Sequence, residues 1–354
     1  MSNIKKPVLL SALLACSALA FAHDFTVTTN GQRLFFKITS KANKTAAVTY
    51  EGSIANKRQN DISGDVEIPS RVKHDDVIYT VTAIEAKTFA NATKLKGITL
   101  PPDLAQVGDF AFEGCTSLER IVFGNKSPEM GQGVFFKCTA VRHVSLGSDW
   151  KTVNLGMFRW SDSLTAISIP AKMEKIQNLK MLRHLRTVTV DANNTHFTTF
   201  GGVLYAKDGK TLYGCPRGFE GRLTVHEGTQ KILSDALIDC PGITDVDFPA
   251  SLTTLSFRCL SRNKNLQSVV FRATKPISTA YAGCKGVFLL QVASSGVRIR
   301  VPNGSKKAYK AALVTTPGEY KELNDDRAVA YQVAQAELPD TKDIVGVKDF
   351  STLK

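Results

Sequence analysis

Cysteine, histidine and aspartate are the residues of this sequence most able to do chemistry, and their spacing decides what each could do. Six cysteines lie downstream of residue 22: Cys115, Cys138, Cys215, Cys240, Cys259 and Cys284. A thiol beside an imidazole would make a nucleophile, and Cys215 with His226 is the pair to test first. Cys215 lies in Gly214-Cys215-Pro216, beside a hairpin signal, so catalysis is not expected of it. No cysteines are spaced as CxxC, so no zinc site is expected. Asp245 and Asp247 alternate along a strand-like stretch and share a face. Calcium would need further oxygen ligands, and both aspartates are expected to be solvated. His143 and His184 stand near strand starts, where exposed polar residues are ordinary. HExxH, GxSxG, Walker A and a GxGxxG after a strand are absent. The expectation is no catalytic residue, no metal and no cofactor, hence not an enzyme.

The cysteines make sense once the elements that hold them are found. FAFEGCTSLERIVF, carrying Cys115, has close copies in TFANATKLKGITLP, VFFKCTAVRHVSLG and MFRWSDSLTAISIP. Their anchoring residues, Phe89, Phe112, Phe135 and Phe158, are each 23 apart. A contracted copy follows over 173–190, where Leu182 stands for the phenylalanine. The period resumes with Leu237 and Leu260, again 23 apart, and a degenerate copy covers 278–292, giving about eight in all. Each copy ends in an L-x-x-I-x-L piece of strand character, and Pro101, Pro170 and Pro249 follow such pieces, since proline cannot donate to a ladder. One unit cannot bury its apolar side alone, whereas a stack can. The expected fold is therefore a repeat solenoid, mainly β with short helical or irregular returns.

In such a stack Cys115 lies beside Cys138, and Ala92, Ser161, Asn263, Cys240 and Cys284 share the column, so the position asks for a small residue. Cys259 falls one residue before the phenylalanine column, with Ala111 and Ala236. Buried free thiols are expected; an even count in an exported chain leaves disulfides open, with Cys115–Cys138 the first candidate. Trp160, adjacent to a buried column, is expected to pack in the core.

Lys5 and Lys6 precede PVLLSALLACSALAFA, and Ala20-Phe21-Ala22 has the form of a cleavage site. Residues 1–22 read as a secretory signal peptide, with a mature chain from His23. Leu13-Leu14-Ala15-Cys16 offers the alternative of a lipid anchor at Cys16, against which the apolar SALAFA counts. No later run approaches the ~18 apolar residues of a membrane span. Hydrophobic residues make up 43% and mean hydropathy is −0.08, as in a globular protein. The formal charge of +13 falls to +11 without Lys5 and Lys6. Such a surface attracts polyanions, although the basic residues are scattered and solubility alone would explain them.

FAFEGCTSLERIVF and its copies resemble the BspA-type leucine-rich repeat family of bacterial cell-surface and secreted proteins. So do GDVEIPSRVKHDDVIYTVTAIEAKTF, FGGVLYAKDGKTLYGCPRGFEGRLTVHEGTQKI and IRVPNGSKKAYKAA. The resemblance runs from Asp24 to about Ala312. It implies a right-handed curved array with a strand per repeat, and adhesion to host matrix or other cells, or surface nutrient handling.

The expected organisation is an N-terminal β cap (23–78), a first repeat block (79–190), an inserted β-hairpin island (191–226), a second block (227–301) and a C-terminal helical cap and tail (302–354). Asp208-Gly209 marks the hairpin turn. Asn303 or Ser305 would start a helix running to Leu313, and a second helical stretch would follow Pro317. The outward strand positions would line a concave binding face: Thr99, Arg120, Val122, His143, Ser145, Ser168, Thr187, Thr189, Asp245, Asp247, Ser268 and Val270, with Gly97 and Ala166 between them. Arg120 and His143 would make one basic spot, with Arg142 and Arg186 at its rim. The row lacks stacked aromatics, so nucleic acid is not an expected partner. The first reading is a monomeric, exported or surface-attached binding or adhesion protein for a surface protein or anionic glycan of host or bacterium. An envelope scaffold without external ligand, or a hydrolase with an unrecognised site, are the alternatives.

Overall fold

The 23-residue period becomes one turn of a stack in a computed structural model of the chain, which describes residues 22–52, 62–256, 259–279, 297–313 and 344–347. The leader up to residue 21 with Cys16, the last repeat copy from residue 280 on with Cys284, and the helical stretch expected after Pro317 lie outside the described residues. Two lines of parallel strands run along the stack. The long-strand line joins Ser63–Glu67, Lys94–Thr99, Arg120–Val122 and His143–Ser145 in register. Ala166–Ile169 pairs Thr187–Val190, and beyond the island Gly221–Thr224, Ile243–Phe248, Ser268–Phe271 and Arg298–Pro302 continue the line. The second, lateral line is built of shorter pieces such as Gln106–Val107, Glu129–Met130 and Thr152–Asn154. Leu95, Ile98 and Leu100 alternate or turn inward from the long strand and are buried, as are most of their copies; Val144, Leu146 and Val190 are half-buried.

Between the two lines stands the phenylalanine column. Phe89, Phe112, Phe135 and Phe158 stack with centroids 4.9, 5.0 and 5.4 Å apart and planes within 20° of parallel. Each buried ring contributes about 1.5–3 kcal/mol through burial. The returning backbone is a third ladder, although it is no strand. Phe89 N–H donates to Ala111 O at 2.8 Å and Phe112 N–H to Val134 O at 2.9 Å, while Asn91 and Gly114 donate to Glu113 and Phe136. A left-handed residue stands two places after each of the four phenylalanines and after Leu237 and Leu260: Asn91, Gly114, Lys137, Trp160, Asp239 and Arg262 all have positive φ. Turn-to-turn approach is equally tight after the long strand, where a Cβ on Gly147 would lie 2.0 Å from Gly124 O.

Among the described residues the column cysteines Cys115, Cys138 and Cys240 are buried and their thiols are free. Cys115 Sγ donates to Phe89 O and Cys138 Sγ to Phe112 O, both at 3.1 Å, so each thiol ties its turn to the one before. Asn263 does the same work with an amide: its Nδ2 donates to Leu237 O and Leu260 O, and its Oδ1 accepts from Cys240 N–H.

The island is a wall inside the stack. Phe197–Phe200, Val203–Ala206 and Thr211–Gly214 form antiparallel strands. Phe197 and Leu204 belong to the core of the first block, and Val203, Tyr205 and Leu212 to that of the second. Asn194 anchors its entry, donating to Pro170 O and Met173 O and accepting from His196 and Phe197 N–H. At the N-terminus, antiparallel strands Phe25–Thr29, Gln32–Ser40 and Thr45–Thr49 precede the lateral line, and Phe25 stacks on Phe36 and His74. At the other end the helix Lys306–Leu313 follows Ser305, whose carbonyl takes its first bond. Ser305 Oγ donates to Thr274 O instead of capping, and buried Tyr309 donates its hydroxyl to Ala273 O. Among the described residues no helix is long and apolar enough to cross a membrane.

Phe112→Ala leaves a ring-sized gap between two stacked neighbours and is expected to cost about 3–5 kcal/mol of unfolding free energy by urea titration. A loss of about 0.5 kcal/mol, as at ordinary surface positions, would show that the column carries no weight.

Candidate functional site

Pairing sets the long-strand face residue by residue. Asp65, Gly97, Arg120 and His143 stand side by side in one row, and Glu67, Thr99, Val122 and Ser145 in the next. Ala166 with Thr187, and Ser168 with Thr189, extend both rows, and the Ser168 and Thr189 hydroxyls are 2.9 Å apart. Arg120 reaches over Gly97 to Asp65, Nη2 to Oδ1 at 3.1 Å. A Cβ at Gly97 would fall 2.1 Å from that carboxylate oxygen, so glycine leaves the path of the bridge open. Both partners are at least half exposed (50% and 63%), which keeps the bridge weak. The expected basic spot is therefore partly offset: His143 is exposed, but the Arg120 charge has a partner. Arg186 at the rim also has one, Glu220 at 2.8 Å.

Beyond the island the face changes character. Arg222, Asp245, Ser268 and Arg298 share one row, and Thr224, Asp247, Val270 and Arg300 the other. Asp247 is not solvated, contrary to expectation, whereas Asp245 is half-buried. Asp247 is 6% exposed and takes two bonds from Arg272, Nε at 2.7 Å and Nη2 at 2.6 Å, because a carboxylate taken from water needs a fork of donors. Asp245 accepts from Ser268 and Thr244 hydroxyls. Ser268 and Val270 are buried with Asp247, which leaves Thr224 and Arg298 as the exposed members of these rows. From Asp65 to Thr189 a larger share of the face is exposed.

Sequence reasoning missed Asp65 and Glu67, which sit on a strand assigned to the cap. Val66-Glu67-Ile68-Pro69 carries the same strand-then-proline signal as Ile98-Thr99-Leu100-Pro101 and would have revealed it. Trp160 is also corrected. Its left-handed backbone turns the ring out of the core, where the Arg183 guanidinium lies 4.0 Å from its centroid.

The residues considered for chemistry have other partners. The His226 ring stacks on Phe200 at 3.5 Å, and Cys215 is buried against Cys240. Burial, then the Cys240 thiol, pushes the Cys215 thiol well up. Burial raises Cys259 to about 12. The adjoining Cys115 thiol, then burial, raises Cys138. These thiols stay protonated at neutral pH and are poor nucleophiles. His184 lies 3.7 Å from Asp162 at the surface. Among the described residues, no three His, Cys, Asp or Glu side chains gather as metal ligands would.

Comparison with known proteins gives a match to a family model described as BspA type leucine rich repeat region, in six copies over residues 72–193 and 219–287. No curated protein matches the chain. Among solved structures, the chain is similar to a leucine-rich cell surface protein from Faecalibacterium prausnitzii (18% identity over 82% of this chain and 93% of that one, TM-score 0.39). It is similar to the pneumococcal vaccine antigen PcpA (15%, 83% and 97%, TM-score 0.44). It is also similar to a leucine-rich repeat protein from Eubacterium ventriosum (15%, 79% and 79%, TM-score 0.48).

Burial works against ionisation of Asp245, but the Ser268 and Thr244 hydrogen bonds and the charges of Arg222 and Arg300 outweigh it and hold the carboxyl below its ordinary value. A lowered folded value means stability that is complete above the ordinary carboxylate range and is lost as pH falls through the folded value. Asp245→Asn is expected to flatten the melting-temperature profile below about pH 4; profiles that stay parallel to the parent in acid would contradict this.

Proposed function

The chain belongs to the BspA-type leucine-rich repeat family, and on that premise we propose that it is a non-enzymatic, exported binding protein that meets its partner across the long-strand face between Asp65 and Thr189. The observation that carries the reading is the register: four strands from Ser63–Glu67 to His143–Ser145 place equivalent residues side by side, with Arg120, His143 and Ser145 exposed. Repeat arrays commonly bind through such a continuous row. Small polar side chains leave the row flat, which suits a broad contact with a surface protein or an anionic glycan better than a deep pocket for a small molecule. Export rests on the leader-like N-terminus, and a lipid anchor at Cys16 remains the alternative to cleavage after Ala22.

The test is a binding screen of the chain from His23 against arrays of matrix proteins and glycans, at low and physiological salt. The expected result is a hit that survives physiological salt and weakens about tenfold or more in Arg120→Ala/His143→Ala. Turnover of a peptide or polysaccharide by the pure protein, or a hit untouched by the double variant, would overturn the reading. Hits that vanish with salt would reduce it to attraction by the net charge.

A further inference from the structure

The lateral strands carry a second surface, and it is independent of the long-strand face. Lys37, Ala47, Ala83, Gln106 and Glu129 stand side by side across five strands and line one cleft, with Ala47 buried at its base. They form the floor of a cleft of about 930 Å³, with Lys87 and Phe110 on its far wall. At Glu129 and Gly131 it runs into a second cleft of about 510 Å³, which passes Asn154. At Gln177 and Asn178 it runs into a third, of about 390 Å³, which ends at Tyr213 beside the island. One open groove thus crosses the lateral strands for roughly 30 Å, at ~4.8 Å per strand.

Its chemistry differs from that of the rest of the molecule. The charged residues lining the three clefts are Lys37, Lys87, Arg159 and Lys180 against Glu85, Asp109, Glu129 and Asp235, so the groove is neutral on a chain of charge +13. Two of these sets are already paired across it, Lys37 with Glu85 at 3.4 Å and Lys180 with Asp235 at 2.6 Å. What it offers outward is carboxamides: Gln106, Gln132, Asn154, Gln177 and Asn178 are all exposed, and of these Asn178 donates to Asn154 Oδ1. A carboxamide both donates and accepts, as does a sugar hydroxyl. Phe110, half-buried with Lys87 over its ring, and the exposed Tyr213 add apolar surface at either end, suited to the C–H face of a pyranose ring.

Direction decides between polymers. The groove runs along the stack, perpendicular to the strands. A peptide lying in it would cross the strands and could not add to a sheet edge, and the backbone groups of the floor are largely spent on neighbouring strands. A polyanion would find no net charge. A linear glycan needs neither, and its rings advance by about one inter-strand spacing, so successive rings would meet the side chains of successive strands. We propose that this lateral groove binds a linear, uncharged polysaccharide, with Gln106, Gln132 and Gln177 bonding its hydroxyls and Phe110 and Tyr213 packing on its rings.

The test is affinity electrophoresis of the full chain through gels holding mixed-linkage β-glucan, galactomannan, soluble starch or dextran. At least one is expected to retard the protein, equally at low and high salt. Gln106→Ala/Gln132→Ala/Gln177→Ala changes only exposed side chains, so its melting temperature should match the parent, and its apparent affinity should fall about tenfold or more. Arg120→Ala/His143→Ala should be retarded like the parent. The proposal is overturned if none of the four gels retards the chain, or if the glutamine variant is retarded as strongly as the parent. Loss of retardation in the Arg120/His143 variant alone would overturn it too, by placing the glycan on the long-strand face. A protein partner captured on that face leaves these outcomes unchanged, so either reading can fail without the other.

Discussion

Successive turns stand one inter-strand spacing apart, about 4.8 Å, and the rest of the structure depends on what fits at that distance. A planar ring fits on a ring, which is why Phe89, Phe112, Phe135 and Phe158 stack near-parallel. A thiol fits where it can give its proton to the carbonyl of the turn before, which is where Cys115 and Cys138 sit. Where two turns meet backbone to backbone, as at Gly147, only a hydrogen fits. The spacing also lets the returning segment bond turn to turn, and the left-handed residues two places after the column are the cost of that ladder, about 1–2 kcal/mol at each non-glycine position.

The island shows what happens when the spacing is broken. Between Val190 and the second block the chain leaves the period and builds antiparallel strands instead. Their two faces are both apolar, one closing the first core through Phe197 and Leu204 and the other closing the second through Val203, Tyr205 and Leu212. The wall keeps the stack sealed but divides its surfaces. The long-strand face is small and polar before it. After it, the face is drawn inward by the Asp247–Arg272 fork. The lateral groove ends against it at Tyr213.

Much of this was legible in the residues. The 23-residue steps, the small-residue column and the Asp208-Gly209 turn are local patterns, and each has one geometric meaning in a stack. Less legible was whatever depends on residues at unequal offsets. Asp247 and Arg272 lie 25 apart, not 23, so no column predicts their pairing. The Asp65–Arg120 bridge skips a turn and needs Gly97 beneath it. Trp160 occupies a column of left-handed residues, and its size suggested the core while its backbone turned it outward. The lateral groove is made of residues from many turns, none of which is distinctive alone.

The central claim is that the returning segments are held turn to turn as firmly as the strands. Amide hydrogen exchange tests it most directly. The N–H groups of Phe89, Asn91, Phe112 and Gly114 are expected to exchange as slowly as those of Ile98 and Ile121, since all are bonded between turns. Fast exchange at the four, with slow exchange at the two isoleucines, would mean that the strands alone hold the stack and that the phenylalanine column merely fills it.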